Sequence, residues 1–202
     1  TFTEVAASYA DNVIFLFAGG TVIGLALERH GVSSHFVHWL LTLAGTRPWA
    51  VVAALFMSAW SVSAFVSNTA TTAMLLPLAT GVAANAAART GTGTAGERAV
   101  RNFTAAALLA IAYGSTVGGG ATLIGSPPNA VAANFLRAQG EEIDFATWAR
   151  VGVPIAACVA PLAIAVILRM LPVLRWLDSA LVALGGVLFA LWFAWSDLRT
   201  VP

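Results

Sequence analysis

Charge is what this sequence has least of. Only 9% of its 202 residues are Asp, Glu, Lys or Arg, against about a quarter in soluble domains. Lysine is absent, so all ten basic residues are arginine. A net charge of +1 and a pI near 8 provide no basic face for a nucleic-acid partner. The single cysteine, Cys158, excludes an internal disulfide framework. It sits in an apolar run, where a free thiol behaves as a small hydrophobe. No nucleophile–base pair, metal constellation or phosphate loop can be assembled from what remains, so an enzyme is not expected.

Hydrophobic residues make up 59% of the chain, and its mean hydropathy is +0.84. Several runs are long enough to cross a hydrocarbon core, which takes about 20 residues each. The chain is therefore read as an all-α, polytopic integral membrane protein of the cytoplasmic membrane. It opens on Thr1 with no signal peptide and stops just after an apolar run, which reads as an internal portion of a longer polypeptide.

In order, Val13–Leu27 is an apolar helix whose Gly19, Gly20 and Gly24 permit close packing. Glu28-Arg29-His30-Gly31 stops it. Val32–Ala44 is short, with an apolar side and polar residues between, and reads as a helix lying in the membrane interface. His30, His35 and His38 decorate that region, with no carboxylate or cysteine to complete a metal site. Residues 1–47 thus form a transmembrane helix plus an interfacial helix. Pro48 opens a long run interrupted at Ser67-Asn68-Thr69, expected as a re-entrant helical hairpin over 48–88. Arg47 and Arg89 at its two ends place both in the cytoplasm. A broken helix over 100–138 completes a transport part, 48–147. Two further transmembrane helices follow in 148–202: Trp148–Leu171, kinked by Pro154 and Pro161, and Leu181–Trp195, closed by an aromatic belt of Trp192 and Trp195.

The polar interruptions carry the chemistry. The first tip offers hydroxyl and amide oxygens that suit a hard monovalent cation. Its backbone N–H groups open the next helix, where an anion meets the positive dipole end. Ser63, four residues before Ser67, shares its face if that arm is helical. The second interruption runs from Gly114 to Asn129. Its Gly118-Gly119-Gly120 allows close backbone approach, and Pro127-Pro128 disfavours helix just before it. Gly125 and Ser126 then lie in an unwound stretch whose carbonyls can face a cation. Broken helices at membrane depth line sites for polar solutes or ions. Neither interruption holds Asp, Glu, Lys or Arg, which argues against a carboxylate proton relay.

With Ser67-Asn68-Thr69 followed by ATTAMLLPLA, and with GGGATLIGSPPNAVAANF from Gly118 to Phe135, the chain resembles the divalent anion/sodium symporter family. IFLFAGGTVIGLALERHG looks like that family's segment before its hairpin. The resemblance implies one repeat of an inverted-repeat, dimeric elevator transporter. It implies sodium coupling and a small dianion such as succinate, citrate or sulfate. Motif by motif, Ser63, Ser67, Asn68 and Gly125 would form a sodium site, with Asn68, Thr69 and Pro127 at the substrate. No organic cofactor and no metal beyond sodium is implied. Only one Ser-Asn-Thr and one Pro-Pro-Asn occur here, so the chain holds half of a substrate site. A sodium-independent exchanger and a half-helix ion channel are the competing expectations.

Overall fold

The computed structural model describes residues 12–89, 93–141 and 143–170. Among them lie seven helices and no strand. These are α1 Asn12–Arg29, α2 Val32–Ala44, α3 Pro48–Ser63, α4 Asn68–Arg89, α5 Thr94–Gly119, α6 Pro127–Ala138 and α7 Phe145–Met170. The expected crossing Leu181–Trp195 falls outside the described residues.

Local chemistry sets most of these boundaries. Gly31 at φ 68 and Gly45 at φ 61 take left-handed backbone after α1 and α2, a region that costs glycine little. Pro48 and Pro127 open α3 and α6, where the missing N–H would have had no helical partner. The Asp144 carboxylate accepts the Thr147 amide at 2.6 Å, just before α7. Hydrogen bonds from the Thr147 side chain and backbone hold that carboxyl below its ordinary value. The cap it provides is therefore present above the ordinary carboxylate range and is lost as pH falls through the lowered value.

Three boundaries differ from the sequence reading. Pro127, Pro128 and Asn129, read as the end of the second break, form the first turn of α6, where proline is tolerated because its missing N–H would have had no helical partner. The broken helix expected from residue 100 begins earlier, because 94–99 is already the first part of α5; its Ala, Glu and Arg residues favour helix. Gly114 and Gly118, read as part of the second break, stay helical. They serve packing instead. A Cβ on Gly114 would come within 2.6 Å of the Phe56 carbonyl oxygen, and one on Gly118 would overlap the Trp60 carbonyl oxygen outright. Two glycines one turn apart thus bring α5 against the α3 backbone. Unwinding begins only after Gly119, and Ser126 is extended at φ −150, ψ 138, as a residue before proline must be.

The same pairs give direction. Residues 56 and 60 of α3 meet 114 and 118 of α5 in ascending order, so α3 and α5 run parallel. Asn68 meets Gly119 while Thr72 meets Ser115, so α4 runs antiparallel to α5. The chain therefore reverses in the short link 64–67. The core fills this arrangement with Val52, Leu55, Phe56 and Ala59 of α3 against Ala106, Ala107, Ala110 and Ile111 of α5, all 0–1% exposed. On the other side, Gly20 of α1 rests on Ile124 and Gly24 rests on Phe65 and Val66. The close packing expected of these two glycines is thus directed at the two interruptions, while Gly19 meets nothing within 4 Å.

By length and composition, 68–88 and 145–169 can each cross a membrane. The 16 residues of α3 extend only about 24 Å, less than a hydrocarbon core of roughly 30 Å. Pro77 lies inside α4, and Pro154 and Pro161 lie inside α7. Large apolar side chains such as Phe15, Val22, Leu43, Val131, Phe135 and Leu162 face outward.

Two buried polar atoms lack a partner among the described residues: Trp60 Nε1 and Thr71 Oγ1. A fully buried hydroxyl without a hydrogen bond costs stability. Thr71→Val, which keeps the shape, is expected to stabilise the fold by about 1 kcal/mol. A raised thermal midpoint in detergent would show this; a lowered one would mean that the hydroxyl is satisfied.

Candidate functional site

The two interruptions meet. Ser63, the last residue of α3, is fully buried and donates its hydroxyl to Asn68 Oδ1 at 2.7 Å across the link. Asn68 Oδ1 in turn faces Gly119, where it occupies the space a Cβ would need. Gly125 closes the cluster: a Cβ there would lie 2.6 Å from the Gly119 carbonyl oxygen and 2.9 Å from the Ser63 carbonyl oxygen. Only glycine fits at either position without displacing its neighbours. One hydroxyl, one side-chain amide oxygen and two main-chain carbonyls thus converge with no formal charge among them. Neutral oxygens of this kind suit a hard monovalent cation.

The cluster is held by residues that motif reasoning passes over. Thr122, 3% exposed, donates its hydroxyl to the Ala64 carbonyl and ties the second break to the first. Asn129 Nδ2 donates to the Gly119 carbonyl at 2.7 Å and to the Thr122 carbonyl at 2.8 Å, so the unwound stretch is stapled to the start of α6. In the sequence Asn129 marks only the end of the interruption. Its double bond to freed carbonyls is a use that the density of breakers just upstream could have suggested.

On the other side of Asn68 lies an open cavity of about 490 Å³, lined by Asn68, Thr69, Thr72, Ser115 and Thr116 with two alanines. Thr72 Oγ1 donates to the Asn68 carbonyl at 2.7 Å and lies 3.1 Å from Ser115 Oγ. Ser115 Oγ is also within 3.0 Å of the Ala112 carbonyl, to which it can donate. The cavity wall is therefore built of hydroxyls from the first turns of α4 and the last turns of α5; at the start of α4, N–H groups and the helix dipole favour an anion. Nothing in the sequence singles out Thr72, Ser115 and Thr116. They are ordinary helical hydroxyls until α4 and α5 are placed side by side. A second cavity of about 510 Å³, lined by residues such as Val117, Gly120, Trp148, Val151 and Ile155, is apolar and offers little to an ion.

Of the residues expected from sequence, Ser63, Asn68 and Gly125 come together, and Asn68 and Thr69 share the polar cavity. Ser67 is exposed and caps α4: its Oγ accepts the Ala70 amide at 3.3 Å, and its carbonyl accepts the Thr71 amide at 2.9 Å. Pro127 is the exposed first residue of α6 and is not among the residues lining this cavity.

Comparison with known proteins gives the family. The model of the citrate transporter family matches residues 1–200. The sodium-dependent dicarboxylate transporter SdcS of Staphylococcus saprophyticus is 34% identical over 152 residues, covering 75% of this chain and 29% of that protein. SdcS of Staphylococcus aureus strain NCTC 8325 is 30% identical over 152 residues with the same coverage. The chain therefore spans 29% of the length of these relatives.

Proposed function

Because this multi-pass membrane chain belongs to the citrate transporter family, we propose that it forms one repeat of a sodium-coupled carrier of small dianions. Succinate-like dicarboxylates are the expected substrate class, with citrate and sulfate as related candidates. Asn68 is the observation that carries this reading. Its Oδ1 belongs to the neutral oxygen cluster with Ser63, while the residue itself lines the hydroxyl cavity with Thr69. One side chain thus borders both a cation position and an anion position. That is the geometry by which occupancy of one site favours the other.

In this reading sodium is held by oxygens of Ser63, Asn68 and the loop from Gly119 to Gly125, at the tip that Ser67 caps. A substrate carboxylate takes the Asn68 amide, the Thr69 hydroxyl and the α4 N-terminus. Pro127 is assigned to the substrate on the family resemblance alone. The short α3, the reversal at 64–67 and the antiparallel α4 support a re-entrant hairpin over 48–88. Residues 48–147 then move as the transport part of an elevator within a homodimer, and a second, inverted repeat supplies the other half of the site.

The test is uptake of labelled succinate into proteoliposomes containing the complete polypeptide, with and without an inward sodium gradient. Saturable uptake that needs sodium is the expected result. Counterflow indifferent to sodium would replace symport by exchange. Unsaturable conductance without coupled uptake would make the two half-helices a channel instead.

A further inference from the structure

The unwound stretch after α5 is held from three directions, and the third comes from outside the hairpin and the break. Thr122 ties it to the link 64–67, and Asn129 staples it to α6. From α7, Trp148 Nε1 donates to the Gly120 carbonyl at 3.2 Å. Gly120 follows the last residue of α5, where carbonyls lose their helical partners. The indole N–H supplies a donor to that carbonyl from outside the break.

The steric fit on α7 matches this bond. Gly152 lies one turn beyond Trp148. A Cβ on it would come within 2.6 Å of the Ala121 carbonyl oxygen and 3.0 Å of the Gly120 carbonyl oxygen. One turn further, Ala156 is 5% exposed and packs with Ala121 and Ala64. Residues 148, 152 and 156 thus form one stripe, as i, i+4, i+8 spacing on a helix requires. That stripe packs the start of the break against the link between Ser63 and Asn68. Gly120 and Ala121 adjoin Gly119, whose carbonyl lies beside Gly125 in the oxygen cluster.

We propose that Trp148 is a positioning residue for the cation site. Its N–H fixes the Gly120 carbonyl, and with it the register of the 119–125 loop against Ser63 and Asn68. It does not touch the ion. The proposal rests on the sodium reading for its functional consequence and on geometry alone for its structural one, so the two are measured separately.

Trp148→Phe keeps an aromatic ring and removes the donor. In proteoliposomes of the complete polypeptide, the half-saturating sodium concentration for succinate uptake is expected to rise about three- to tenfold, as loss of one neutral hydrogen bond gives. The maximal rate, and the succinate KM at saturating sodium, are expected to stay near wild type. Gly152→Ala, which pushes the stripe away, is expected to move the same parameter in the same direction. In detergent, amide hydrogen exchange in 119–126 should speed up in Trp148→Phe while α3 stays protected.

Unchanged exchange in 119–126 would overturn the positioning role. So would a lower maximal rate at an unaltered half-saturating sodium concentration, since that marks a general structural defect. Faster exchange in Trp148→Phe, combined with wild-type uptake that ignores sodium, would sustain the Trp148 tie and sink the sodium reading.

Discussion

Gly118→Ala is expected to be among the most damaging single-methyl additions in the described part of this protein. The new Cβ would overlap the Trp60 carbonyl oxygen and lie 2.7 Å from the Trp60 Cα. Both neighbours are backbone inside α3, so no rotamer change relieves the clash. The helices must separate at the turn where α3 and α5 carry the site. Overpacking of a core commonly costs about 1–3 kcal/mol, and a backbone clash belongs at or beyond the upper end of that range. Gly81→Ala provides the control. Gly81 is exposed within α4, and a Cβ added there would have nothing within 4 Å of it. There alanine should add about 0.5–1 kcal/mol through helix propensity. Thermal unfolding in detergent should separate the two variants widely and in opposite directions from wild type. Equal midpoints would mean that α3 and α5 do not meet through Gly118.

Substitution of Asn68 is expected to have the largest effect on transport, and two variants divide its roles. Asn68→Ala removes the acceptor of the Ser63 hydroxyl and the side-chain amide of a residue that lines the cavity. On the proposed reading, losing an oxygen ligand and a charge-assisted hydrogen bond together is worth about 3 kcal/mol, or roughly 100-fold in uptake at limiting sodium and substrate. Asn68→Asp keeps an oxygen beside Ser63, which still suits a cation. It replaces the amide donor by a negative charge next to an incoming dianion, a repulsion of about 1–4 kcal/mol at such range. Sodium affinity should therefore be retained or increased while succinate uptake falls at least as far as in Asn68→Ala. Sodium-dependent protection from thermal unfolding, measured with sodium against choline chloride, reads the first quantity; uptake reads the second. An aspartate variant that transports like wild type would remove Asn68 from the anion side. An alanine variant with unchanged sodium protection would remove it from the cation side.

The sequence by itself determined the membrane class, the helix boundaries at Gly31 and Pro48, and the two polar interruptions. These follow from composition, caps and breakers, which act over one or two turns. It also supplied Ser63, Asn68, Thr69 and Gly125 as candidates. It misled over the start of α5, expected at 100 and found at Thr94, and over Gly114 to Gly119, which read as break although glycine, weak in an isolated helix, is favoured where two backbones touch. Whether a glycine breaks or packs depends on what faces it, and Phe56 and Trp60 are 58 residues away in each case. Only the tertiary structure decided that Ser63, Asn68, Gly119 and Gly125 converge, that Thr72 and Ser115 share a wall, and that Trp148 reaches Gly120. Those pairings span 43 residues for Thr72 with Ser115 and 28 for Trp148 with Gly120. No local signal encodes them. They arise when parallel α3 and α5 bury their small-residue faces against each other and leave the freed backbone groups of both interruptions to satisfy one another.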